Sequence, residues 1–98
     1  MSAMSSGTDC VVSAAPDQLS SKLGSEVVIL NLNSGVYYGL DPVGARVWEL
    51  LQQAQPLSAI RDQIVREFDV QPKQCEADLA DLLKQMEQEG LIRVAAAT

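Results

Sequence analysis

Apolar positions in this chain keep two different rhythms, and the change between them falls near Leu40. Before it they come in short runs rich in β-branched residues; after it they recur every three or four positions. The first rhythm predicts strands and the second amphipathic helices. "CVVSA" (Cys10–Ala14) reads as a brief first strand ended by Pro16, and "PDQLSSKLGSE" as a connection punctuated by Gly24. "EVVILNL" (Glu26–Leu32) is a second strand, dense enough in apolar residues to be buried on at least one face. "NSG" (Asn33–Gly35) is a hairpin signal, because Gly35 takes the positive φ that ends a three-residue turn. "VYYGL" (Val36–Leu40) is the returning strand. With Leu32 opposite Val36, the residues Leu30, Leu32, Val36, Tyr38 and Leu40 share one face, since strand side chains alternate. A register one residue away puts Tyr37 on that face instead; the favoured reading turns Tyr38 inward.

Asp41 beside Pro42 marks a helix start: the carboxylate accepts from the first free N–H groups and proline suits the first turn. Val43, Val47, Leu50 and Leu51 then repeat at helical spacing with Trp48 on the flank, until Pro56 breaks the run. A second helix carries Leu57, Ile60, Ile64, Val65 and Phe68 on one stripe and ends near Asp69. A third begins after Pro72, aligns Cys75, Leu79, Leu82, Leu83 and Met86, and stops at Gly90. "LIRV" (Leu91–Val94) is either a final strand or a plug over the core. Three strands followed by three helices predict an α+β fold, with the helices on one face of a three-stranded antiparallel sheet.

The chain's 98 residues suit one domain. Residues 1–9, rich in Ser, read as a flexible tail, leaving 10–98 as the folded unit. A net charge of −6 opposes nucleic acid and anionic membranes, which call for clustered Lys and Arg. There is no histidine, which removes the commonest general base and metal ligand together. Cys10 and Cys75 form no CxxC pattern, and no charged n-region precedes an apolar run, so both are expected as free thiols in a cytoplasmic protein. No apolar stretch approaches the ~20 residues of a membrane-spanning helix.

Candidate chemistry is correspondingly thin. Glu76, Asp78, Asp81, Glu87 and Glu89 are spread along the third helix in the manner of a solvated face rather than an acid–base pair. No Ser–His or Cys–His pair, phosphate loop or metal spacing is present, so no catalysis, metal or cofactor is expected. Three helices and a hairpin bring a winged helix-turn-helix to mind, but the acidic third helix would be repelled by DNA. The remaining class is peptide binding. A short sheet leaves edge N–H and C=O groups unpaired, and an extended peptide can complete them. In "VYYGL", tyrosines offer stiff contact area and Gly39 permits close backbone approach; the alternative makes Tyr38 core and Tyr37 ordinary strand filler.

The stretches "VVILNLNSGVYYGLDPVGARVWELL", "LSAIRDQIVREFDV" and "CEADLADLLKQMEQEGLI", in this order and spacing, resemble the PqqD-like proteins, the leader-peptide recognition elements of ribosomally made, post-translationally modified peptides. The details are most similar to the small stand-alone members of lasso-peptide pathways. The resemblance, spanning roughly Val11 to Val94, implies a winged helix-turn-helix-like module that is not an enzyme. It implies a precursor's leader peptide bound as an added strand on the third strand, against the third helix, and presented to a tailoring enzyme such as a leader peptidase. Transferred here, it makes Val36, Tyr37, Tyr38, Gly39 and Leu40 the docking strand. Asp78, Leu82 and Gln85 form one flank of the third helix, and Glu76, Leu83 and Glu87 the other. The favoured wall is the first flank with Met86. The rival expectation is a winged-helix transcriptional or protein-interaction module.

Overall fold

A computed structural model describes residues 10–96; the expected tail over residues 1–9 lies outside the described residues. The elements run β1 (Cys10–Ala14), β2 (Gln18–Leu23), β3 (Glu26–Asn31), β4 (Tyr37–Leu40), α1 (Pro42–Leu50), β5 (Gln55–Pro56), α2 (Leu57–Phe68), α3 (Pro72–Gln88) and β6 (Ile92–Ala96). The α+β class holds, and the three helices stand where their periodicity put them. The sheet differs from expectation. There are two three-stranded antiparallel sheets, ordered β5-β1-β6 and β2-β3-β4.

The difference has a local cause. "QLSSKL" is a strand that buries neither face, so it lacks the apolar alternation by which strands are recognised; it is specified instead by the tight turn at Gly24, where φ is +65°. Pairing of β2 with β3 displaces β1 from that sheet. β1 pairs with the C-terminal strand, Val12 opposite Val94, so "LIRV" belongs to a strand, preceded by the buried Leu91. Pro56 acts both as the end of the two-residue β5 and as the residue before α2.

Register corrects a second expectation. The β3–β4 pairing sets Ile29 opposite Tyr38 and Val27 opposite Leu40, and Asn31 N–H donates to the Val36 carbonyl at 3.0 Å. The loop between this pair is therefore residues 32–35, one residue longer than "NSG" on the β3 side, and β3 is shifted by one position against β4. A one-residue slip exchanges faces. Val27, Ile29 and Asn31 join Tyr38 and Leu40 on the inner face, while Leu30 is only half-buried and Leu32 and Val36 are exposed. Tyr38 does turn inward and packs against the core; Tyr37 is 68% exposed.

One buried cluster draws on both sheets and all three helices: Val12 and Ile92, Val27, Ile29 and Leu40, then Val47, Trp48, Leu51, Ile60, Ile64, Leu79, Leu83 and Met86. Trp48 is thus core rather than flank. Burial of each such aliphatic side chain stabilises by about 1.5–3 kcal/mol, which a domain this small needs from nearly every element. Surface ion pairs tie the elements externally: Lys22 to Glu49 at 3.1 Å, Arg46 to Glu67 at 2.8 Å and Arg61 to Glu76 at 2.8 Å. Both cysteines are free, Cys75 buried and Cys10 half-buried. Among the described residues no helix is long and apolar enough to cross a membrane.

Candidate peptide-binding groove

Among the described residues β4 lies at one edge of its sheet, hydrogen-bonded to β3 alone. Which of its backbone groups are free follows from the alternation of antiparallel ladders. Asn31 N–H donates to Val36 on one side of β3, and Leu32 N–H donates to the Asp17 carbonyl on the other. Odd-numbered residues of β3 therefore bond toward β4 and even-numbered ones toward β2. With Ile29 opposite Tyr38 and Val27 opposite Leu40, the N–H and C=O groups of Tyr38 and Leu40 are spent on β3. Those of Tyr37 and Gly39 point out of the sheet. This edge carries no proline and no charged residue, the usual means of blunting an exposed strand. The opposite edge carries Lys22, and β5 is two residues long with a proline.

Beside this open edge runs a groove of about 410 Å³. Tyr37, Tyr38, Gly39 and Leu40 form one wall; Leu82, Gln85, Met86, Gln88 and Glu89 form the other, with Leu91 at the base. Met86 and Leu91 are buried, so the floor is apolar. Gly39 has an ordinary φ, and a Cβ there would meet nothing within 4 Å. The fold itself does not require glycine at 39; its effect is to leave space at the strand edge.

Two hydrogen-bonded ties fix the groove's width. The buried side chain of Asn31 accepts from the N–H groups of Asn33 at 2.9 Å and Ser34 at 3.2 Å, and donates to the Glu89 carbonyl at 3.1 Å. It holds the hairpin loop to the end of α3. Across the groove, the Tyr38 hydroxyl donates to Glu89 Oε1 at 2.6 Å. That bond, with some desolvation and the carboxylate's charge, pushes the Tyr38 phenol above its ordinary value of 10.0. Glu89 caps α3 just before Gly90, whose φ of +76° ends the helix.

A second cavity of about 310 Å³ adjoins the first, with Leu82 lining both. It lies where α1, α2 and α3 meet, between Val43, Val47, Ile64, Val70 and Leu79, with Asp41 and Asp78 also in its lining. Asp41 Oδ1 accepts from Gly44 N–H at 2.8 Å and so caps α1; Gly44 fits there because an added Cβ would lie 3.3 Å from that of Leu40. Asp78 accepts from the Gln74 amide at 2.9 Å. Burial pushes the Cys75 thiol up, away from thiolate reactivity.

Of the residues singled out from sequence, Tyr37, Tyr38, Gly39, Leu40, Leu82, Gln85 and Met86 meet in the one groove. Asp78 lines the adjoining cavity instead, and Val36 lies outside β4 and lines neither. Gln88, Glu89 and Leu91 were not anticipated as groove residues. Glu89 was findable: it follows Gln85 by four positions and Leu82 by seven, on the same helical flank. Among the described residues no three His, Cys, Asp or Glu side chains are grouped to hold a metal.

No curated protein matches the chain. Among solved structures it is similar to that of TbiB1 in complex with the TbiA(beta) leader peptide, at 34% identity and a TM-score of 0.77 over 83% of this chain and 94% of that one. A family model described as coenzyme PQQ synthesis protein D (PqqD) matches residues 26–92. That match runs from the start of β3 through the hairpin and all three helices to the first residue of β6, taking in every element that lines the groove, and the chain belongs to the PqqD family.

Proposed function

We propose that this protein is a non-catalytic recognition element that binds the leader segment of a ribosomally made precursor peptide. The leader adds as a strand to β4, hydrogen-bonding to the outward N–H and C=O groups of Tyr37 and Gly39. Its inward side chains enter the apolar groove between Tyr38, Leu40, Leu82, Gln85 and Met86, and a segment continuing past Leu40 reaches Asp78. The bound leader is presented to a tailoring enzyme, a leader peptidase of lasso type being the favoured partner, in the cytoplasm where precursors emerge from the ribosome. The hairpin and α3 then serve as wing and recognition helix of a winged helix-turn-helix-like unit turned to peptide rather than DNA.

The observation that carries this reading is the uncharged, unpaired edge of β4 beside an apolar groove, in a chain similar to one solved with a leader peptide. Titration of the leader from a precursor encoded beside this gene, followed by amide shifts, tests it. The amides of Tyr37 and Gly39 and of α3 from Leu82 to Gln88 shift together at micromolar peptide. Shifts confined to other surfaces, or none, overturn the proposal.

A further inference from the structure

The groove has a sign as well as a shape. Three carboxylates line its two connected cavities, Asp41 and Asp78 at one end and Glu89 at the other, and neither lining contains a Lys or Arg. Helical geometry extends the pattern: Asp78, Asp81, Gln85 and Glu89 fall within about a quarter turn of one another on α3, on a flank whose Gln85 and Glu89 line the groove beside β4, while Asp81 lines neither cavity. Positive charge is held elsewhere. Lys22, Arg46 and Arg61 are engaged in ion pairs on other surfaces, and none of Arg66, Lys73, Lys84 and Arg93 lines either cavity. Between the carboxylates the lining is apolar or uncharged: Leu82, Met86 and Leu40, with Gln85.

From this we infer that the preferred occupant is an extended peptide whose apolar segment is flanked by basic side chains, one set against Glu89 and the other against Asp78 and Asp81. The inference rests on strand addition at β4 and goes further in naming the chemistry selected. Asp78 and Glu89 are separated by about three turns of helix, roughly 16 Å at the α-helical rise. An extended chain covers that distance in about five residues. The selected pattern is therefore a Lys or Arg and a second one about five positions on, with apolar side chains turned inward at alternate residues between them. Among the described residues the Glu89 carboxylate accepts from the Tyr38 hydroxyl on Oε1, which leaves Oε2 for an ammonium or guanidinium donor. An acidic or neutral peptide of the same shape would instead leave the carboxylates facing its backbone carbonyls.

Selection from a random library of peptides displayed against the whole protein tests this without knowledge of the natural leader. Binders that shift the Tyr37 and Gly39 amides are expected to be enriched in paired basic residues about five positions apart. Each basic residue should add up to about fivefold in affinity, the reach of an exposed ion pair. Binding should weaken as ionic strength rises toward about 1 M, where the screening length falls to roughly 3 Å. Asp78→Lys/Asp81→Lys, two exposed helix positions, should abolish enrichment at one of the two basic positions only. Glu26→Lys, with the same sign of change away from the groove, should leave the selection as it is. Edge-binding peptides without the basic pair, or equal relaxation by Glu26→Lys, overturn the inference while strand addition stands. Selection that yields no peptide at the β4 edge overturns strand addition, and the inference with it.

Discussion

Proline placed at successive positions of β4 separates the two sides of the strand. In Gly39→Pro the lost N–H is one that points away from β3, and the fold has no use for it. Proline is tolerated on edge strands in just this situation, and the residue before it, Tyr38, is already extended. Stability should change by less than about 1 kcal/mol, partly because the unfolded chain also loses freedom. Binding should suffer. One of four edge hydrogen bonds disappears, a loss of about 0.5–1.5 kcal/mol, and the ring stands where the incoming carbonyl would sit, which strains its neighbour as well. The sum is about 1–3 kcal/mol, or roughly 5- to 150-fold in Kd. Tyr38→Pro does the opposite. It removes a ladder bond to Ile29, opens that carbonyl and displaces the tie to Glu89, costing about 2–4 kcal/mol and lowering Tm by on the order of 15 °C. Thermal unfolding and calorimetric titration with the leader peptide measure both. If Gly39→Pro unfolds the protein as severely as Tyr38→Pro, the deduced alternation is wrong. If it folds and binds as the wild type does, the peptide is not added at this strand.

Asn31→Ala should cost about 2–3 kcal/mol in urea unfolding, because three backbone groups lose their partner, while Asn31→Asp keeps the two loop bonds and loses less; equal effects would refute the loop bonds, and an Asn31→Asp variant as stable as the wild type would refute the tie to Glu89. Hydrogen bonding to Lys22, then Arg46, lowers the Glu49 pKa, and hydrogen bonding to Arg46, then Gln63, lowers that of Glu67, both from 4.5. A depressed carboxylate contributes stability above its unfolded value that is lost as pH falls through the folded one. Stability should therefore drop from about pH 4.5 downward, less steeply in Arg46→Met, and an unchanged slope in that variant would count against the pairs. In a Tyr37→Phe background, phenolate absorbance should place Tyr38 above its ordinary 10.0, and Glu89→Gln should bring it back; a titration indifferent to Glu89 would remove the bond across the groove.

What could be read from the residues depended on whether local chemistry or pairing decided the outcome. Asp41-Pro42 announced α1 because a cap and a proline act within one turn, and the carboxylate does accept from Gly44. The apolar stripe of α3 was legible for the same reason, since 3.6-residue periodicity is a property of one element. β2 was not legible. Its residues are exposed on both faces, and it exists because β3 offers it a ladder. The inward set of β3 was misread because Asn31, a polar residue, occupies a buried position where a leucine was expected. Its burial is stabilised by partners on the loop and on Glu89, the latter 58 positions away, which no local pattern reports. The candidate groove was legible only as two separate halves. Tyr37 to Leu40 was marked by aromatic residues and glycine, and Leu82 to Met86 by helical flank; their meeting across Glu89 is tertiary.

The placement of charge explains why one edge stays open in a chain this small. An unpaired apolar strand invites association, and β4 carries no side-chain device against it. Lys22 is instead spent on the opposite edge of the same sheet, where it also reaches Glu49. The counterweight at β4 comes from across the groove, where Asp78, Asp81 and Glu89 line one flank of α3. Any second copy approaching this edge brings its own acidic helix, so like charges oppose self-pairing over the few ångströms that screening does not cover. A lone peptide brings no such helix. The same carboxylates that favour basic residues in a ligand therefore disfavour the protein's own edge as a partner, and Asp78→Lys/Asp81→Lys should raise self-association, read by sedimentation at low salt, as it relaxes peptide choice.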